Sequence, residues 1–292
     1  MKNAINYYYN LISNDIHQQG KKYYFSVNDK NYLLMNFYGD INQLKYIYDY
    51  LITNHIYCHE IILNKSMQMI TIINNEPYIL LSIHCQNRKI NLQDIINYTI
   101  PVDTKIKLNW YNLWCEKLDY YEYQMEQYEK KYQKLSESFT YFDGMTETAI
   151  SLLNTVDLNK VKLYISHSRI NSETTTIDFY NPLNFLIDTR VRNICEYIKS
   201  EFFDKKVNLF QISNYINNYN LSKEESILFL ARMIYPSYYF DIYDEIVKGD
   251  IERQSLDNVI DNINDYERFL FDICKIINIK YQIPEIEWII KM

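Results

Sequence analysis

Hydrophobic positions change their period along this chain. Residues 23–38, YYFSVNDKNYLLMNFY, form two β-rich runs around an Asn-Asp-Lys-Asn turn, which predicts a hairpin. The next stretch, DINQLKYIYDYLITNH, repeats apolar side chains at Ile41, Leu44, Ile47, Tyr48 and Leu51, a helical face behind Asp40, which is placed to cap it. EIILN, QMITIIN and YILLSIHC then follow as short β-branched runs between polar turns. Hairpin, helix and further antiparallel strands describe an α+β lobe.

From Trp110 the period becomes helical. Trp110, Leu113 and Trp114 open a stripe that runs through Leu118, Tyr121, Met125, Tyr128, Tyr132 and Leu135 in steps of three and four. This spacing predicts one long amphipathic helix, whose apolar face serves either core packing or a dimer seam. Gly144 in FDGMTETAISLLN is expected to break it and start another helix. KLYIS predicts a short strand and TTTIDF a second, with Asp178 and Asp188 at strand ends; beyond Asp188 the pattern is helical. SKEES carries a capping box, Ser222 with Glu225. Pro236 should split the helical region that follows, Gly249 should end it, and a last helix should run from Leu256 to Ile277. The expected class is α+β: a small antiparallel-sheet lobe over residues 1–104 and a larger, mainly helical lobe over residues 105–292.

Composition narrows the chemistry. A chain of 292 residues that is 48% hydrophobic can bury a large core. Its net charge of −7 repels nucleic-acid phosphates and anionic lipid headgroups, and no run of basic residues offsets it. No stretch is long and apolar enough for a membrane span, and the N-terminal residues lack a secretory pattern. The five cysteines are odd in number and scattered, which argues against a disulfide framework and for a reducing, cytoplasmic setting. Only four glycines occur, at 20, 39, 144 and 249, too far apart for G-x-G-x-x-G, a Walker A loop or G-x-S-x-G. Rossmann enzymes, P-loop NTPases and α/β-hydrolases are therefore poor candidates. The 31 tyrosines are too many for any one of them to point to a stacking platform.

The order of these elements, with ISHSRIN and IDFYNPLNFLIDTRVRNICEYI, resembles the protein-kinase-like superfamily in its aminoglycoside and choline kinase branch. YFDGMTETAISLL and the terminal IPEIEWII are similar to the spore-coat-associated kinase-like proteins of Firmicutes. The resemblance implies a bilobal kinase-like fold and, where motifs are intact, transfer of a phosphoryl group from Mg·ATP. Transfer needs a cation on the phosphates, a metal-binding Asp and Asn, and an Asp that orients the acceptor. Here the strand expected to carry the phosphate lysine offers Met35 and Asn36, and the helix behind it offers Asp49. His167 matches the family histidine, but Ser168 and Arg169 stand where Gly and Asp belong, and Thr174 replaces the metal-binding Asn. Arg169 cannot accept a proton.

The remnant candidates are thus His167, Asp178 and Asp188. Spacing from the histidine favours Asp188 as the metal Asp, whereas the IDF context favours Asp178, which is preferred. Each residue also has a structural reading: His167 as a hydrogen-bonded core histidine, Asp188 as a helix N-cap, and Arg190 and Arg192 as solvated or carboxylate-paired. His55, Cys58 and His59 have helical spacing but no second ligand pair nearby, so zinc is not favoured. Two functions follow. One is a catalytically degenerate kinase-fold protein, a pseudokinase without cofactors, acting on a protein partner and associated with a spore coat. The alternative is an active small-molecule phosphotransferase using Mg and ATP, with Asp178 on the metal, His167 bracing the loop and Asp188 as a second acid.

Overall fold

The computed structural model describes residues 1–13, 15–104, 106–128, 132–249 and 254–290. The chain divides into two compact units. The first holds Met1–Ile90 with His167–Arg169 and Glu173–Leu186; the second holds Asn91–Ser166, Ile170–Ser172 and Ile187–Met292. Hydrophobic period suggests a division after residue 104, whereas the compact units part after Ile90 and the first takes in two later segments.

The first unit begins with α1 (Lys2–Tyr9), then β1 (Ile16–Gln19), β2 (Lys22–Val27), β3 (Lys30–Asn36), α2 (Ile41–Thr53), β4 (Glu60–Ile62), β5 (Thr71–Ile73) and β6 (Glu76–Ile83). Its sheet is antiparallel in the order β1-β2-β3-β6, and β4 and β5 pair with successive parts of β6. Asparagine and aspartate make its tight turns. Asn28 and Asp29 lie at φ 49° and 61°, and Asn74 and Asn75 at 52° and 66°, the left-handed pair that a two-residue type I′ hairpin requires. The first of these turns fixes Lys22 opposite Met35.

Both faces of this sheet are covered, so YLLM and YILLSI read as unbroken apolar runs instead of alternating ones. On one face Ile5 and Tyr9 of α1 join Phe25, Tyr32, Leu34, Tyr78 and Leu80; on the other Leu44 of α2 joins Leu33, Phe37, Ile61, Ile79 and Leu81. Asp40 caps α2 as expected, its carboxylate accepting the Asn42 N–H at 2.8 Å. Helix α1 has no counterpart in the sequence reading.

The second unit starts with α3 (Leu92–Asn97), β7 (Ile100–Val102), α4 (Trp110–Tyr128), α5 (Gln133–Leu153) and β8 (Leu163–His167). After α6 (Thr176–Phe179), a single turn in the first unit, come β9 (Phe185–Asp188), α7 (Val191–Phe203), α8 (Leu209–Asn218) and α9 (Lys223–Ile234). The chain ends with α10 (Ser237–Lys248), α11 (Gln254–Asp261), α12 (Ile263–Asn278) and α13 (Glu287–Ile290). Strands β7, β8 and β9 form a three-stranded sheet with β7 antiparallel to β8.

Four expectations change here, one being that the single helix expected from Leu256 to Ile277 is two, α11 and α12, parted at Asn262. The aromatic stripe belongs to two helices: Trp110, Trp114, Leu118, Tyr121 and Met125 are buried on α4 and Leu135 on α5, with residues 129–131 outside the described set. Gly144 does not break a helix but lies within α5, because Phe142, Met145 and Thr146 around it are buried and packing outweighs its low helix propensity. TTTIDF is not a strand. Thr175 makes one isolated bridge to Lys89, and the chain then turns into α6.

Helix α9 is the centre of the second unit, with every side chain from Glu225 to Ile234 buried among α5, α7 and α12. The Ser222–Glu225 capping box starts it, and Pro236 separates it from α10, which Gly249 ends at φ 83°. That break exposes carbonyls which a buried cation satisfies: Lys199 of α7 donates to the Arg232 and Tyr235 oxygens at 3.1 and 3.2 Å. Glu196 balances the charge, accepting from Lys199 and Arg232 at 2.7 Å each. Burial alone would push the Glu196 carboxyl up, but the two cations hold it well below the usual carboxylate range.

Candidate functional site

Strands β2 and β3, the β1–β2 turn and the α6 segment enclose a groove of about 840 Å³ in the first unit, lined by Gly20, Lys22, Tyr24, Met35, Asn36, Ile177 and Asp178 among others. A second hollow of about 820 Å³ shares Tyr24, Asn87 and Ile177 with it. Gly20 has φ 58° at the first of two loop positions, where a tight hairpin of type II′ calls for glycine. This single glycine is all that the hairpin offers as a backbone cradle.

The preferred metal candidate, Asp178, lies in α6 and accepts from the Lys22 ammonium at 2.6 Å, each side chain about one-third exposed (35% and 32%). Met35 holds the β3 position where a phosphate lysine is expected, and its sulfur accepts from the Asn181 amide at 3.2 Å. Lys22 was missed by sequence reasoning, which looked along β3 alone. The signal was present, since counting back from the Asn28-Asp29 turn pairs residue 22 with residue 35.

Histidines fix α6 from below. His167, 2% exposed at the end of β8, donates Nε2–H to the Phe179 carbonyl at 2.7 Å and stacks on the Phe179 ring at 4.6 Å. His59 is fully buried and donates Nε2–H to the Ile177 carbonyl at 3.0 Å, while its backbone N–H reaches the Tyr180 carbonyl. Burial lowers the His59 pKa to about 4, although the Ile177 contact works the other way. Thr176 anchors the start of the turn, its hydroxyl donating to the Gln86 carbonyl at 2.6 Å and its N–H to the Arg88 carbonyl at 2.8 Å. In the loop after His167, the Ser168 N–H donates to the Asn184 carbonyl at 2.8 Å, and the Thr174 carbonyl accepts from Ile90.

In the second unit Asp188 ends β9 and is 5% exposed. Its carboxylate accepts the Thr189 N–H at 2.6 Å, the Trp110 indole N–H at 3.0 Å and Arg192 at 2.8 Å. It is not the N-cap of α7, which is Arg190. Arg190 in turn makes a two-pronged pair with Glu225, so both arginines of TRVRN meet carboxylates. His55, Cys58 and His59 do not converge: His55 is exposed at φ 56°, and among the described residues no group of three or more His, Cys, Asp or Glu side chains is placed to hold a metal ion.

Mg·ATP would make specific demands on these residues. An octahedral Mg²⁺ asks for carboxylate oxygens free to face it, and the phosphates ask for a fixed cation and close backbone donors. Asp178 is engaged by Lys22, Asp188 by three donors, and the hairpin supplies one glycine.

Residues 2–273 match the family described as "Spore coat putative kinase YutH". The chain is similar to the endospore coat-associated protein YutH of Bacillus subtilis, with 25% identity over 207 residues covering 62% of this chain and 61% of that relative, so the match spans less than two thirds of the relative's length. Among solved structures, an aminoglycoside phosphotransferase from Alicyclobacillus acidocaldarius superposes with a TM-score of 0.70 at 9% identity, covering 95% of this chain and 96% of the other. Choline kinase LicA from Streptococcus pneumoniae gives 0.54 at 12% identity, covering 94% and 97%. At such identities these two establish the kinase-like fold and nothing beyond it.

Proposed function

The chain belongs to the spore coat YutH family of kinase-like proteins, and on that premise we propose that it is a catalytically degenerate kinase-fold protein that acts by binding a protein partner of the spore coat. One observation carries this reading: both carboxylates that could serve a metal are already paired with protein donors, Asp178 with Lys22 and Asp188 with Trp110, Thr189 and Arg192. Arg169 and Thr174, at the places of the acceptor-orienting Asp and the metal Asn, support it from the sequence. His167, buried and tied to the Phe179 carbonyl, braces the fold.

Thermal unfolding with and without millimolar Mg·ATP tests it. A ligand present at 100 times its dissociation constant stabilises the native state by about 2.7 kcal/mol, a shift that a melting curve resolves. The expected result is an unchanged melting temperature in the parent chain and in Asp178→Asn. A second reading, a phosphotransferase on a small hydroxylated metabolite, is favoured by Lys22, whose register opposite Met35 puts a cation beside the vacant lysine position. Under that reading Mg·ATP raises the melting temperature, and Lys22→Ala and Asp178→Asn each abolish the rise; that outcome would overturn the degenerate reading.

A further inference from the structure

Helix α8 opens with an aromatic side chain in solvent. Phe210 is 73% exposed, whereas every other phenylalanine of the chain is buried or half-buried. The cap holds it there: the Asn208 side chain accepts the Phe210 and Gln211 N–H groups at 3.0 and 3.3 Å, while Ile212, Tyr215 and Ile216 are the buried positions of the helix. Phe210 stands on the edge of a third hollow, shallow and of about 600 Å³, which lies wholly in the second unit between the end of α7, the start of α8 and α12. Phe202, Leu209 and Phe269 give the hollow apolar walls, the Phe202 and Phe269 rings stacking with centroids 5.1 Å apart. Asp265, Arg268 and Asp272 of α12 line it on the other side.

The outward face of α12 continues that line. Asp265, Arg268, Asp272 and Lys275 follow one another in steps of three, four and three, on the side of the helix away from the buried Leu270, Ile273 and Ile277. Within the helix Asp265 pairs with Arg268 and Asp272 with Lys275, each at 3.4 Å, and solvent-exposed pairs of this kind contribute little. The signs alternate about Leu270 so that the order is its own complement. Set antiparallel to a second α12, Asp265 stands opposite Lys275 and Arg268 opposite Asp272, and both pairs occur twice. A parallel setting places like charge on like.

We infer that this face binds a second copy of the chain, α12 lying antiparallel to its twin across a two-fold axis at Leu270, with Phe210 of each copy in the hollow of the other. A two-fold axis perpendicular to both helices leaves each hollow on the same side of its charged stripe. Hollow therefore faces hollow, and the exposed ring at the edge of one meets the apolar walls of the other. One patch serves both partners, as a two-fold interface requires. Taking the two rings out of water drives the association, while the charges fix its direction and register over about 15 Å of helix. No residue of the first unit enters, so the inference stands independently of the degenerate-kinase reading.

Sedimentation equilibrium of the full-length chain, from micromolar to tenth-millimolar concentration, tests it. The parent chain should be a dimer. Phe210→Ser should raise the dissociation constant about a hundredfold or more, because each dimer loses the burial of two rings. Arg268→Glu and Asp272→Arg should each weaken the dimer about tenfold or more, since each sets like charges opposite one another at two places. Mixed in equal amounts, these two charge variants should associate again with near-parental affinity, because every introduced charge then meets its opposite on the other chain. That recovery is the readout that misfolding cannot produce, and circular dichroism of each variant verifies its fold. A parent chain that stays monomeric overturns the inference. So does a dimer indifferent to Phe210→Ser and to both charge reversals, which would place the contact on another face, and so does a mixture of the charge variants that remains dissociated.

Discussion

At the scale of single residues, the site is governed by pairing. Lys22 and Asp178 meet because a two-residue turn sets the β2–β3 register and because the α6 turn is pinned by His59, His167 and Thr176. The sequence shows the individual residues and hides the pairing, since Lys22 and Asp178 lie 156 positions apart. His59 gives a measurable consequence. Its folded pKa is lowered from 6.5 to about 4 by burial, so the native chain keeps it neutral while the unfolded chain protonates it below about 6.5. The stability it contributes is therefore present above pH 6.5 and is lost as pH falls toward 4. Between pH 7.5 and 5 this loss comes to about 2 kcal/mol. Urea titrations at the two pH values should show a drop of that size beyond the one measured for His59→Gln; equal drops in both chains would mean that His59 titrates normally.

At the scale of elements, hydrophobic period reported what neighbours later confirm and failed where neighbours decide. The β2–β3 hairpin, α2, the α9 capping box and the Pro236 break all arise from local chemistry, and all are present. Helix α1 escaped notice because its buried positions are only Ile5 and Tyr9, too few to show a period, and what holds it is the sheet. TTTIDF looked like a strand for its β-branched residues. It turns instead because Thr176 is tied to Gln86 and Arg88, far away in sequence. Glycine's low helix propensity alone predicts a break at Gly144. In the interior of α5 a Cβ at this position would meet nothing within 4 Å. Gly144→Ala should therefore add about 0.5–1 kcal/mol of stability, the usual glycine-to-alanine difference within a helix. A raised denaturation midpoint with an unchanged slope is the expected signature, and a lowered midpoint would place a true helix break at that residue.

At the scale of the whole molecule, the charge of −7 and the kinase-like architecture were legible because both are sums over many residues, whereas the division into units was not, since it depends on His167–Arg169 and Glu173–Leu186 joining the first unit. The cysteines make that division observable. Cys85 and Cys115 are half-buried, whereas Cys58 in the first unit and Cys195 and Cys274 in the second are buried. Burial pushes the Cys58 and Cys274 thiols up to about 12 and raises Cys195 as well. The thiolate is the reactive form, so at pH 8 a thiol of pKa 12 is ionised only to about one part in ten thousand. A chromogenic disulfide reagent should consequently titrate two thiols quickly in native buffer and all five in strong denaturant. Intermediate urea should separate the remaining three, because each reacts only when its surroundings open. The first unit is the smaller of the two, and a smaller unit buries a lesser fraction of its surface as a rule. Cys58 should therefore become reactive at lower urea than Cys195 and Cys274, identified by mass spectrometry of the labelled peptides. Simultaneous labelling of all three would mean that the chain opens as one cooperative body, and earlier labelling of Cys195 would mean that the Glu196–Lys199–Arg232 network is the weaker part.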